Sequence, residues 1–359
     1  MIIRGARQVG KTWIMKTFGQ QYFEKTAYVN FDNNARMKQV FEGDLDIERL
    51  VLAISAETGV SIEAENTLII FDEIQEVPKA LTSLKYFHEN APQYAIVAAG
   101  SLLGVALHQG TSFPVGKVDF LDLYPLNFRE FLCAMGEKQF VSMLDSCDTQ
   151  MVTVFKTKYI ERLREYYFVG GMPEVVKDFS EKKDYNRVRA IQKNLINYYQ
   201  QDFSKHAEIK LVPRLNLVWN SIPMQLAKEN KKYIYGQVRE GSRAKDFELA
   251  IQWLLDCGLI HKVQRIQKPD LPLKAYIDFD AFKLFLVDIG LLIAMTDLDA
   301  KVIIEGNKIF TEFKGSLTEQ YILQQLISDV GVIPYYYSTQ NSKGEIVFFS
   351  SGKNICYSN

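Results

Sequence analysis

Residues 5–12 read Gly-Ala-Arg-Gln-Val-Gly-Lys-Thr and meet the pattern G-x-x-x-x-G-K-[ST] at every fixed position. The apolar Met1-Ile2-Ile3 precedes this run as a short strand, and Thr12–Phe18 continues it as a helix. Strand, glycine-rich loop and helix in that order commit the start of the chain to an α/β sheet. Gly5 and Gly10 permit turns that a Cβ resists. Successive N–H groups can then face inward as an anion nest, reinforced by the positive end of the helix that follows. The residues expected to line a bound nucleotide are Gly5, Ala6, Arg7, Gln8, Val9, Gly10, Lys11, Thr12 and Trp13. Lys11 is expected to reach the β- and γ-phosphates and the Thr12 hydroxyl to ligate Mg²⁺. Arg7 either touches phosphate or lies on the surface.

A second run supports the first. Residues 67–75 read Thr-Leu-Ile-Ile-Phe-Asp-Glu-Ile-Gln. Leu68–Phe71 is uninterrupted apolar sequence, as a central parallel strand buried on both faces requires. Strand carboxyl ends in a doubly wound sheet face the ligand crevice, so Asp72 is expected to complete the Mg²⁺ shell opposite Thr12. Glu73 is the expected general base that orients and deprotonates the attacking water, with Lys11 as its catalytic partner. The bland alternative for both acids is a helix N-terminus that favours carboxylates. Further strands are expected at Thr26–Phe31, Tyr94–Ala99 and Val118–Leu123. Ser101, just past the end of Tyr94–Ala99, is either a γ-phosphate sensor or a helix cap. Lys117 is a candidate contact to the γ-phosphate of a neighbouring subunit, or a solvated loop lysine. An added strand between the phosphate loop and the acidic strand, with a second carboxylate beside the first, is the pattern of hydrolytic proteins.

The 359 residues allow two or three domains, and 47% hydrophobic with 24% charged residues is ordinary globular composition. A net charge of −1 excludes a global basic field that recruits nucleic acid. Cys133, Cys147, Cys257 and Cys356 show no C-x-x-C spacing, and the four histidines lie far from them, so no zinc or iron–sulfur pattern is present. Met1 opens into a core strand instead of a leader, no apolar run approaches a membrane span, and reduced thiols suit a cytoplasmic protein.

The expected organisation is an α/β nucleotide domain over 1–135, a helical linker or lid over 136–205, a winged helix over 206–265 and a third unit over 266–359. Gly170-Gly171-Met172-Pro173 must break a helix, and Asp184–Asp202 reads as a long amphipathic one. In the winged-helix segment Leu215–Lys228 is a helix, Tyr233-Ile234-Tyr235 a strand, and Ser242 caps a helix with Phe247, Ile251, Leu254 and Leu255 on one face. Leu259–Val263 starts the wing. Lys231, Lys232, Arg239, Arg243 and Lys245 could meet DNA, but Asp246 and Glu248 repel phosphate, which favours a structural or protein-docking role. In the last segment Phe282–Ala294 is an apolar stretch, Phe313–Ile327 a helix, and Tyr335–Ser338 and Glu345–Phe349 strands.

Several of these runs together resemble a prokaryotic family: Ile2–Thr12, Phe71-Asp72-Glu73-Ile74-Gln75, Val115-Gly116-Lys117, Tyr124-Pro125-Leu126-Asn127-Phe128, Gly170-Gly171-Met172-Pro173, Leu286–Leu291 and Phe313–Gln320. The chain resembles an AAA-superfamily P-loop ATPase with a C-terminal domain of unknown function. The resemblance implies ATP binding and hydrolysis, a winged helix, and a C-terminal α/β unit of restriction-endonuclease type, and Mg²⁺ follows from the Thr12 and Asp72 pattern. It leaves the biological role open: an ATPase that drives C-terminal partner-binding domains, a nucleotide-gated DNA- or protein-binding module with negligible turnover, or an ATP-linked nuclease. Self-assembly fits relatives that place ATP between subunits. Members of the family usually carry some tens of residues before the phosphate-loop strand, and their nuclease-like core adds an Asp and a Glu-x-Lys strand to a first Glu. Here Glu319 matches that first Glu, Val347 stands where the Asp is expected and Lys353 lacks a Glu partner, so an incomplete, inactive C-terminal unit and a truncated or degraded gene are expected.

Overall fold

The computed structural model describes residues 1–104, 116–228, 232–304, 311–338 and 345–349. By packing, the chain separates into Met1–Tyr124 and Pro125–Asn359.

In the first unit β1 (Ile2–Arg4) runs through the loop into α1 (Lys11–Tyr22), followed by β2 (Lys25–Asn30), α2 (Ala35–Glu42), α3 (Ile47–Thr58), β3 (Thr67–Asp72), α4 (Pro78–Asn90), β4 (Ala95–Ala99) and β5 (Phe120–Asp122). All pairings are parallel, in the order β2-β3-β4-β1-β5. The strand that separates the loop strand from the acidic strand is therefore β4; β2, which lies between them in sequence, occupies the sheet edge. Every residue of β3 is buried, as its apolar run requires. Successive side chains alternate between two cores: Ile2 joins the larger one with Phe31, Phe41, Ile69 and Phe71, and Ile3 joins Met15, Leu68 and Ile70. Asp46 and Asn34 cap α3 and α2 by accepting N–H bonds, and Pro78 opens α4.

The second unit begins with α5 (Phe128–Ala134), α6 (Lys138–Asp145), α7 (Thr149–Val154), α8 (Lys156–Val169), α9 (Pro173–Lys182) and α10 (Tyr185–His206). There follow α11 (Val212–Ala227), α12 (Tyr235–Val238), α13 (Glu248–Asp256), β6 (Ile260–Ile266), β7 (Ile277–Leu286), α14 (Ile289–Met295), α15 (Ala300–Ile304), α16 (Thr311–Gln325), β8 (Tyr335–Ser338) and β9 (Glu345–Phe349). Its sheet runs β7-β6-β8-β9. β6 pairs antiparallel with β7 through Ile266↔Ile277, so the segments expected to part near residue 265 share one sheet.

Two local expectations need correction. Tyr235 opens a helical turn where a strand was expected, because Tyr233 and Ile234 bond elsewhere: Tyr233 N–H donates to the Phe282 carbonyl and Ile234 N–H to Gln225 Oε1. α13 begins at Glu248, after a separate helical turn over Ala244–Asp246, and not at Ser242. The apolar stretch 282–294 is the end of β7 followed by α14, divided at Asp288, whose carboxylate caps α14 through the Leu291 N–H at 3.0 Å.

That same Asp288 explains two motifs. It is fully buried, and its other oxygen accepts the Gly171 N–H at 2.6 Å and the Gln324 amide at 3.2 Å. Gly170 lies at φ +75, and a Cβ there would collide with the Asp288 carboxylate; one on Gly290 would press on the Val169 carbonyl. Gln192 donates to the Phe168 and Val169 carbonyls, closing the chain ends that the Gly-Gly break leaves open. The Gly170-Gly171 and Asp288-Ile289-Gly290 runs are thus two halves of one buried polar joint.

Candidate nucleotide site

The loop 5–12 is shaped by its glycines and by two neighbours. Gly5 lies at φ +143 and Gly10 at φ +96, and Gln8 accepts a left-handed conformation at φ +64. A Cβ on Gly5 would strike the Leu123 carbonyl at the end of β5, so glycine is required where the loop passes the neighbouring strand. Gly10 caps α1 without a side-chain bond, and the first turn of that helix holds no acid. Its N–H groups are therefore not claimed by a side-chain cap, as an anion-binding helix start requires.

Lys11 is buried, and its Nζ donates to the Gly5 carbonyl at 2.9 Å and the Ala6 carbonyl at 2.7 Å. Burial pulls its pKa down to about 8, against the opposing pull of Glu73 and Asp72. A bound triphosphate supplies the negative charge that burial withholds and drives the pKa back up. The sign follows: the free protein holds fewer protons on Lys11 than the complex does near pH 8, so binding takes up protons there and affinity weakens as pH rises through 8. Titration calorimetry of MgATP in buffers of different ionisation enthalpy is expected to show an uptake of roughly half a proton at pH 8 and almost none at pH 6.5. Equal heats in all buffers at pH 8 would contradict the lowered pKa.

At the end of β3, Asp72 Oδ2 accepts the Thr12 hydroxyl at 2.7 Å and the Tyr28 hydroxyl at 2.9 Å. Burial and the adjacent Asp72 charge push the Tyr28 phenol up to about 12, so it stays a donor. The Lys16 ammonium lies 3.6 Å from the centre of the Tyr28 ring, a cation–π contact that fixes the ring. The hydroxyl of Thr12 and one carboxylate side by side suit Mg²⁺, which takes few protein ligands and completes its shell with water and phosphate oxygens. Among the described residues no three His, Cys, Asp or Glu side chains gather to hold a metal.

Glu73 follows at φ +51, in the left-handed region. Its Oε2 accepts the Gln75 amide at 2.6 Å and the Ser101 hydroxyl at 3.2 Å, and Ser101 in turn accepts Arg7 Nε at 3.1 Å. The fold thus brings Arg7, Lys11, Thr12, Asp72, Glu73 and Ser101 together. Trp13 stands 70% exposed at the start of α1. Lys117 pairs with Glu89 at 3.3 Å on the surface; Val115 lies outside the described residues. Sequence reasoning missed Tyr28 and Gln75. Tyr28 could have been found from strand alternation, because β2 pairs Tyr28 with Ile70 and Asn30 with Asp72 in register, but only once β2 and β3 were known to be neighbours.

The other expected chemistry lies in the second unit. Glu319 sits against the buried Lys283, 3.1 Å from its Nζ, and Lys353 lies outside the described residues, as does the side chain of Val347. Lys231 is likewise outside them. The exposed face of α13 carries Glu248, Leu249 and Gln252, and Gln252 donates to Asp256.

Residues 1–132 match the profile of an AAA domain family, and residues 160–302 match a domain of unknown function, DUF8612. No curated protein matches the chain. Among solved structures it is similar to the Walker-type ATPase PabY2304 of Pyrococcus abyssi, with 14% identity over 82% of this chain and 90% of that one and a TM-score of 0.49. It is also similar to Drosophila ORC bound to DNA (12% identity, 79% and 85% covered, TM-score 0.26) and to Cdc6p from Pyrobaculum aerophilum (8%, 85% and 87%, TM-score 0.26). Likeness at these values carries nothing about function. The loop, the acidic strand end and the parallel sheet agree with the AAA-domain match over residues 1–132, and together they support a P-loop ATPase domain of AAA type followed by a domain of unknown function.

Proposed function

We propose that the protein binds MgATP in the loop 5–12, hydrolyses it, and passes the change of nucleotide state to a partner-docking second unit. The observation that carries this reading is the 2.7 Å contact between Thr12 and Asp72, with the desolvated Lys11 on one side and Glu73 on the other. Lys11 holds the β- and γ-phosphates; the loop N–H groups take the remaining negative charge. Thr12 and Asp72 would hold Mg²⁺, which neutralises phosphate charge when bound. Glu73 accepts the proton of the attacking water. For the partner, an exposed Leu249 beside Glu248 on α13 suits a protein better than a phosphate backbone. No described helix is long and apolar enough to cross a membrane.

Trp13 provides the test. It is 70% exposed beside the loop, whereas Trp219 and Trp253, the other two tryptophans, are buried. Titration with MgATP is expected to change the exposed component of the emission, with phosphate release in the same sample. Lys11→Ala is expected to weaken binding by about 100-fold, the scale of one lost charge-assisted phosphate contact. Emission that ignores ATP, with no phosphate released, would remove the reading.

A further inference from the structure

We propose that Gln75 is the positioning residue for Glu73, which fixes the carboxylate so that one oxygen is held and the other is left to take a proton from water. The assignment rests on the hydrolytic reading above.

The geometry is asymmetric. Both donors that reach the Glu73 carboxylate, the Gln75 amide at 2.6 Å and the Ser101 hydroxyl at 3.2 Å, meet the same oxygen, Oε2. Among the described residues no donor reaches Oε1. A carboxylate with one oxygen doubly bonded and one unbonded has a defined proton-accepting edge, and the bonded oxygen fixes the torsion that aims it.

The orientation of the Gln75 amide follows from chemistry. Turned the other way, its oxygen would face the Glu73 oxygen, so Nε2 must be the atom that points there. Its Oε1 is then buried and has no partner among the described residues, and buried unpaired acceptors are rare because they cost free energy. That oxygen lies against Gly100, where a Cβ would collide with it. Gly100 thus makes room for an amide whose acceptor gains nothing from the fold. Glu73 itself occupies left-handed backbone, a second unfavourable feature two residues away. Two adjacent costs that stabilise nothing else are expected where a side chain is held for chemistry. Ser101, which also accepts Arg7 from the phosphate loop, ties the same oxygen to that loop.

The test compares wild type, Gln75→Leu, Gln75→Met, Glu73→Gln and the double variant Glu73→Gln/Gln75→Leu in the full chain, with MgATP as the probe. Leu and Met keep the volume of Gln75 and remove both its donor and its unpaired acceptor, so each is expected to melt at or above the wild-type temperature. Single-turnover hydrolysis is expected to fall about 10- to 100-fold, the scale of a misaimed catalytic group, while KM and the ATP dissociation constant stay put. The double variant should be no slower than Glu73→Gln alone, because the amide acts only through the carboxylate. Wild-type rates in both Gln75 variants would overturn the assignment and leave the ATPase reading standing. Loss of rate together with lowered melting temperature and weakened ATP binding would also overturn it, as the mark of a structural role. A wild type that binds ATP without turnover would overturn the hydrolytic reading and the assignment with it.

Discussion

Glu73→Gln is expected to bind MgATP as tightly as wild type and to hydrolyse it about 100- to 10,000-fold more slowly, the range lost with a general base. The substitution exchanges one carboxylate oxygen for an amide nitrogen of nearly the same size. It keeps an acceptor that can face Gln75 and Ser101, and it leaves the loop, Lys11, Thr12 and Asp72 unchanged. What it removes is the ability to accept a proton. Trp13 emission reads binding and single-turnover phosphate release reads chemistry in the same sample, so the two effects separate. Turnover that survives in this variant would exclude Glu73 as the base; loss of binding would mean that the carboxylate holds the loop in shape.

Asp288→Ala is expected to destabilise the second unit by about 3–5 kcal/mol, the range for stripping the partner from buried donors. Its fully buried carboxylate serves the Gly171 N–H, the Leu291 N–H and the Gln324 amide. Alanine leaves the Gly171 and Leu291 N–H groups without the carboxylate, in a space that glycines at 170 and 290 have kept too narrow for side chains, while the Gln324 amide keeps the Tyr166 hydroxyl at 3.0 Å. Burial raises the Asp288 pKa more than these donors lower it. Asp288→Asn, which retains one carbonyl acceptor, should lose less. Urea unfolding followed at the buried Trp219 and Trp253 checks both, and an Asp288→Ala midpoint equal to wild type would show that the joint tolerates the loss.

Some of this was legible before any coordinates. The glycines of the loop, Lys11 and Thr12 belong to one continuous run whose backbone chemistry is local, and the apolar stretch 68–71 followed at once by Asp72-Glu73 is read from adjacent residues. The break at Gly170-Gly171 and the long helix that starts near Asp184 are equally local. Tyr235 was misread because the two residues before it bond to partners distant in sequence, Tyr233 to Phe282 and Ile234 to Gln225, whereas the turn that delays α13 is closed by local bonds from Asp246 to Arg243 and from Phe247 to Ala244. Asp288 looked like one polar residue within an apolar stretch, and its role as cap and joint depends on Gly171 and Gln324, 117 and 36 residues away.

The sequence by itself determined the phosphate loop, the acidic strand end and the αβ character of the first unit, since these follow from short-range turns, periodicity and residue chemistry. Tertiary structure alone decided that β4 parts the loop strand from the acidic strand, that Tyr28 reaches Asp72, and that Gln75 and Ser101 share one oxygen of Glu73. The reason is physical. Strand order and side-chain convergence are fixed by how layers bury their apolar faces against one another, and contacts across 28 to 60 residues of chain, such as Ser101 to Glu73 and Thr12 to Asp72, leave no periodic trace in the residues between.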